Sequence, residues 1–297
     1  MKKVLIIAFL ISSTLFSQPE PVNSEHPVYF FLRRASISGY LNYYDDAILP
    51  KSHSEIKKHL KELDDIRAEL STTFVTELDY YKKNFLSDES GEKLTFSNYF
   101  TSDYAQHLYE HRGKNYNVSI DPVLGLKVHG TNLQGYNGNS AAYLRYGGTA
   151  RFTYKDWLSA YIIAWNGNTY GSRQLNQTDN LVAQKFTFRR TGLEHFDGTE
   201  GGIFFEKDIF SASISRNREV WGENFFNKDK ISATSQMFDK LSFAIKTDLF
   251  TYNYLHGWLV MPQYIIPGNV ITGDTKARTE KYTAQNRISA DLSGKLR

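Results

Sequence analysis

Apolar positions recur along this chain with two different spacings. Between about residues 26 and 112 they fall three or four apart. Pro27 is followed by Val28, Phe31, Leu32 and Ala35, and Gly39 closes the set. A proline is tolerated where a helix begins, because the N–H it lacks would have no partner there, so the pattern predicts a helix ending at Gly39. Ser52 and Glu55 have the spacing of a capping box, and Ile56, Leu60, Leu63 and Leu70 then line one face. Lys57, Lys58, Lys61 and Glu62 occupy the other face, as a solvated helix surface requires. Ser71 or Thr72 can cap a further helix carrying Phe74, Leu78, Tyr81 and Phe85. The region reads as a bundle of three or four helices.

From about residue 116 the period becomes two. Val118, Ile120, Pro122, Leu124, Leu126 and Val128 alternate with Ser119, Asp121, Gly125 and Lys127. The same alternation runs through Ala142–Leu144–Tyr146, Ala150–Phe152–Tyr154, Leu158–Ala160–Ile162–Ala164, Phe210–Ala212–Ile214 and Leu241–Phe243–Ile245. Turn signals such as Lys155–Asp156 and Lys207–Asp208 separate several of these runs, so an antiparallel meander is expected. Two architectures bury or cover one face of such strands. A soluble sandwich packs it against a second sheet. A transmembrane barrel turns it to lipid, with aromatic residues at both interfaces and polar residues in the lumen.

Residues 1–17 shift the balance toward the barrel. Lys2 and Lys3 precede the apolar run Val4–Ile11, and small or polar residues follow, the layout of a cleaved secretory signal with Gln18 as the first mature residue. A membrane anchor needs about 20 apolar residues, and this run breaks at Ser12. The 20 Tyr and 20 Phe against a mean hydropathy of −0.46 point the same way, as does the scarcity of proline, with 7 in all. The expected organisation is a signal peptide over 1–17, a helical periplasmic region over 18–115 and a mainly β portion over 116–297. At roughly 18 residues per strand and turn, that last portion holds about ten antiparallel strands of a transmembrane β-barrel. The chain stops at Leu296–Arg297 just as a hairpin's second strand would begin, which predicts a longer protein.

Charge and cysteine narrow the chemistry. The 35 Lys+Arg nearly balance 32 Asp+Glu, so no basic field attracts nucleic acid. The absence of cysteine excludes disulfides, cysteine-based zinc sites and thiol nucleophiles.

A resemblance is carried by the order of five short segments. Arg216–Asn217–Arg218–Glu219–Val220–Trp221–Gly222–Glu223–Asn224 follows an alternating strand. Phe238–Asp239–Lys240–Leu241 and Phe250–Thr251–Tyr252–Asn253–Tyr254–Leu255–His256–Gly257 come after it, and Tyr282–Thr283–Ala284–Gln285–Asn286–Arg287–Ile288 follows near the end. Tyr44–Asp45–Asp46–Ala47–Ile48–Leu49–Pro50–Lys51–Ser52 precedes them all. Together these resemble the capsule-assembly Wzi family of outer-membrane proteins, and the last-named segment resembles members from bacteria of the Bacteroidetes type. The resemblance implies a Gram-negative outer-membrane barrel with a periplasmic helical region. It implies lectin-like, non-catalytic retention of capsular or other surface polysaccharide, with no cofactor. One departure is that Glu223–Asn224–Phe225–Phe226 stand where the family often has a Gly-Pro-Gly-like run.

Sugars present hydroxyls for hydrogen bonds and C–H faces for aromatic stacking, and arginine adds charge-assisted bonds to acidic sugars. On that chemistry Arg216, Arg218, Trp221, Asn224, Tyr252, Tyr254 and His256 are the polysaccharide-binding candidates. The plainer reading makes Trp221 and the tyrosines interface-belt residues, with both arginines lining a polar lumen structurally. Two enzymatic patterns compete weakly. His107–Leu108–Tyr109–Glu110–His111 matches H-x-x-E-H, which on a helix would set two zinc ligands one turn apart; a polar helix end in solvent explains it as well. Glu194, Asp197, Glu200 and Glu206 offer carboxylates for a glycosidase, though a glycine-rich acidic turn accounts for them too. The competing functions are an outer-membrane diffusion or transport barrel and a secreted carbohydrate-active enzyme on a β-sandwich.

Overall fold

Helix α1 (Val28–Ile37) starts directly after Pro27 and is closed by Gly39, whose φ of +82° is a left-handed conformation that glycine adopts without strain. Strand β1 (Ile48–Leu49), helix α2 (His53–Asp65) and helix α3 (Thr72–Phe85) complete the helical region of this computed structural model. Ser52 accepts the Glu55 amide at 3.2 Å and Ser71 accepts that of Phe74 at 3.5 Å, so both expected caps form. Val28, Phe31, Leu32, Ile56, Leu60, Leu63, Leu78 and Phe85 are buried together in one core. The structure describes residues 18–41, 44–86, 107–131, 138–183, 188–190, 193–222, 237–247, 249–259, 264–266, 275–277 and 281–290. The expected signal segment lies outside them.

The remaining elements are strands β2 (Tyr109–Arg112), β3 (Tyr116–Gly130), β4 (Ser140–Tyr154) and β5 (Leu158–Gly171), and short helices α4 (Arg173–Asn176) and α5 (Asn180–Ala183). They are followed by β6 (Phe188–Arg190), β7 (Leu193–Lys207), β8 (Phe210–Asn217), β9 (Val220–Trp221), β10 (Phe238–Lys246) and β11 (Phe250–Leu259). Strands β12 (Tyr264–Ile266), β13 (Thr275–Ala277) and β14 (Lys281–Ala290) end the series. The chain is mainly β, as its alternation predicts. One large antiparallel sheet has the order β14-β11-β10-β8-β7-β5-β4-β3-β2, with β6 also paired to β7. The sheet begins at Tyr109, earlier than the expected boundary at 116, because β2 pairs Tyr109 with Ile120 and Arg112 with Asn117.

The connections at one end of the sheet are short: 113–115, 155–157, 208–209 and 247–249. Lys155 and Asp208 take positive φ in two of them, which sharpens the reversal. The connections at the other end, over 131–139, 172–192, 218–237 and 260–280, are longer.

Alternation gives the sheet two unlike faces. Outward lie Leu124, Leu126, Leu144, Ile162, Ile203, Ile214, Leu241 and Ile288, all exposed. Leu124 is 77% exposed and Ile288 73%, so the apolar face is bare from one side of the sheet to the other. A soluble sandwich would bury these positions, and no second sheet covers them among the described residues. The inward face carries Ser119, Thr149, Arg151, Ser159, Tyr161, Ser215, Asn217 and Lys240, and it meets the helical region. Arg151 Nε donates to Glu20 at 2.7 Å, Ser54 Oγ to Glu206 at 2.9 Å and Lys246 Nζ to Glu55 at 2.7 Å, while Arg287 lies 3.8 Å from Asp45. Strand β9 leaves the sheet to pair with β1, with Ile48 opposite Trp221 and Leu49 opposite Val220. Val220 is thereby part of the helical core.

Candidate functional site

The polysaccharide-binding candidates named from sequence do not converge. Arg216 points outward, where its Nη1 lies 3.0 Å from both carboxylate oxygens of Asp239, directly opposite on β10. Tyr252, Tyr254 and His256 share that outward face, because alternate residues of β11 set them in line with exposed Phe250 and Trp258. The Tyr252 hydroxyl donates to Asn286 at 2.6 Å, and the His256 ring packs on Trp258 and Tyr282. Trp221 is not an exposed turn residue. It is 3% exposed, clusters with Phe238 and Leu255, and donates from Nε1 to Glu219 at 3.0 Å. Pairing with β1 continues the strand pattern past the break at Arg218–Glu219 and seals the ring away. Arg218 turns to the N-terminal segment and pairs with Glu25. Asn224 lies outside the described residues.

The two enzymatic patterns also take new positions. His107 precedes β2 and His111 lies in it, so no helix sets them one turn apart. His107 Nδ1 is 2.7 Å from Asp121, Glu110 accepts from Asn117 at 2.9 Å, and His111 is exposed on the opposite face beside Tyr116. Among the described residues no group of three or more His, Asp or Glu is placed to hold a metal. The acidic run 194–206 is a continuous strand rather than a turn. Asp197 is exposed on the outward face, whereas Glu200 and Glu206 are inward, separated by about 20 Å of extended chain, far beyond a glycosidase pair.

The inward face instead presents a cavity of about 580 Å³ between the N-terminal segment and strands β3, β4, β5 and β7. Its wall is both aromatic and charged. Tyr143 and Trp165 project from β4 and β5 into a buried cluster with Phe196, Val182 and Met237, and Tyr143 meets Phe196 edge-on at 5.7 Å. Lys127 pairs with Asp179, Arg151 with Glu20 and Arg218 with Glu25, each a cation on the sheet side held by an acid from a loop or the N-terminal segment. Burial pushes the Glu20 carboxyl up, and Arg151 works against that rise. Arg145 also lines the cavity, its guanidinium 5.9 Å from the centre of the Trp165 ring. The alternation in the sequence does assign Tyr143, Arg145 and Trp165 to one face. It gives no sign that the helical region closes a cavity over them.

Comparison with protein-family models, with curated proteins and with solved structures finds no match.

Proposed function

We propose that this chain forms part of an outer-membrane β-barrel whose lumen holds the helical region and which retains a surface polysaccharide without catalysis. The observation that carries the reading is the inverted sheet, with apolar residues bare on one face and polar residues packed on the other. Its outward face is also zoned. Tyr116, Phe205, Phe210 and Phe250 are exposed near the short turns, where Trp157 packs edge-on to Tyr154 and Phe205. Tyr170, Trp258 and Tyr282 are exposed toward the other end, and aliphatic side chains such as Leu144 and Ile162 lie between the two groups. Aromatic girdles flanking an apolar band, with short turns on one side and long loops on the other, are the anatomy of a barrel in an outer membrane. On that reading the short turns and the helical region face the periplasm. No described helix is long and apolar enough to cross a membrane. The strands would do so.

Ion pairs and hydrogen bonds from the helical region to β4, β7, β10 and β14 favour retention over free diffusion through the lumen. The aromatic and cationic cavity wall suits sugar rings. The motif order resembling the capsule-assembly family agrees with both. Because the chain has no cysteine, single introduced cysteines are unique reporters. In envelopes, a lipid-restricted thiol probe should label cysteine at Leu144, Ile162 and Ile214 and leave Arg145 and Ser213 unlabelled. Labelling confined to Arg145 and Ser213, or absent throughout, would overturn the membrane reading. Deleting the protein should raise the ratio of shed to cell-bound polysaccharide, and an unchanged ratio would overturn retention.

A further inference from the structure

We propose that the inward cavity binds a carboxylated sugar unit, with Arg145 as its carboxylate partner; this deepens the polysaccharide reading and rests on it. Of the Lys and Arg side chains that line the cavity, Lys127, Arg151 and Arg218 each have a carboxylate partner. Arg145 makes no hydrogen bond or ion pair among the described residues; its guanidinium lies against the Trp165 ring. An aromatic face steadies a guanidinium without using its five N–H donors. Those donors form a planar fork that matches a carboxylate, and a half-buried cation that pairs with no acid among the described residues favours an anionic guest.

The backbone makes room for this side chain. Arg145 stands opposite Gly125 on β3 and Gly167 on β5, so both neighbouring strands lack a side chain in its row. A Cβ at Gly125 would come within 2.7 Å of the Arg145 Nε. Glycine there lets the arginine lie across the strand toward the cavity. The cavity volume of about 580 Å³ falls among small-ligand sites, which run from about 300 to 1,000 Å³.

The test uses the detergent-purified full chain, with an oligogalacturonate hexamer as the acidic probe and maltohexaose as the neutral one. The acidic hexamer should bind at least about tenfold more tightly than maltohexaose, and should weaken as salt rises. Arg145→Gln should remove most of that preference, and Arg145→Lys should restore only part, because a point charge lacks the fork. Gly125→Ala leaves the charge unchanged but displaces the guanidinium, and should also lower acidic binding. Heat-modifiable gel migration reports whether each variant folds. Equal binding of both hexamers, unchanged in Arg145→Gln, would overturn the acidic assignment and leave polysaccharide retention standing. If wild type binds neither hexamer while cells still retain polysaccharide, the cavity is the wrong site. If neither is bound and retention is independent of the protein, both readings fall.

Discussion

Trp221 shows how far a residue's role depends on what closes over it. In sequence it follows two arginines and precedes a glycine, which suggests an exposed loop. In the fold its indole is buried, with its N–H on Glu219, and the carboxylate of Glu219 also pairs with buried Lys240. Removing the ring leaves a cavity and strands a polar network, so Trp221→Ala should cost about 3–5 kcal/mol in stability. Urea or thermal unfolding would measure it, while polysaccharide retained per folded molecule should stay unchanged. Glu55 is a residue whose ionisation bears on the junction, since it pairs with Lys51 and with Lys246 of the sheet. Burial pulls its carboxyl upward, but Lys246 and Lys51 override that and hold it well below the usual carboxylate range. Its contribution to stability is therefore complete above the unfolded value of about 4.5 and is lost as pH falls toward the depressed folded value. Lys246 is 40% exposed, so Glu55→Gln should cost about 2 kcal/mol rather than the larger figure for a fully buried pair. The gap between wild type and Glu55→Gln should narrow as pH drops below about 4.5, and a gap constant with pH would place the effect in packing instead. Burial raises Glu20, which gives the opposite slope, so only the wild-type minus variant difference isolates Glu55.

At the scale of elements, the apolar pattern and the serines beside it were enough to find the helices α1, α2 and α3, the serine caps of α2 and α3 and most long strands. It also separated the faces, because Leu144 and Ile162 point away from Arg145 and Lys246. Other elements escaped it for physical reasons. Strand β7 contains Asp197, Gly198, Gly201 and Gly202, residues that read as a turn, yet it pairs with β5 over Glu194–Phe205 and with β8 over Gly201–Lys207. Glycine is accepted there because neighbouring backbone crowds the position; a Cβ on Gly201 would stand 2.5 Å from the Tyr161 carbonyl oxygen. Strands β1 and β9 are two residues each and carry no periodicity, so their pairing across the chain is tertiary information. The face assignment makes a prediction of its own. Ile162→Arg should cost about 2–4 kcal/mol if that position sits at the bilayer midplane, whereas Ser213→Arg on the inward face should cost much less. The relative yield of heat-modifiable, folded protein measures the difference.

For the whole molecule, composition and leader indicated an exported β protein, and the alternation left barrel and sandwich both open. The bare apolar face is what weighs between them. Sequence reasoning grouped the candidate site along a motif, whereas the sheet distributes that motif over two faces and places a cavity among Tyr143, Arg145 and Trp165, which no motif marks. Such a site is defined by register across β3, β4 and β5, and register is invisible until the strands are paired. If the helical region occupies the lumen as proposed, the purified protein in planar bilayers should show little steady ion conductance. Weakening its attachment, for example with Glu55→Gln and Arg151→Gln together, should raise conductance. Large steady conductance in the wild type would favour the diffusion barrel.

Val220 in the helical core has a consequence for how the chain is made. The N-terminal region is synthesised first, but a side chain from beyond β8 is one of its packing elements, and β1 waits for β9 through a separation of more than 170 residues. Closing so long a loop is slow, since its entropy is lost before any contact rewards it. On the proposed outer-membrane reading, the helices reach the periplasm with an apolar seam open around Leu49, and remain clients of whatever shields nascent chains there until the sheet arrives. Helix packing and sheet assembly are in this sense one folding reaction, and the boundary between helical and β segments is not a boundary between folding units.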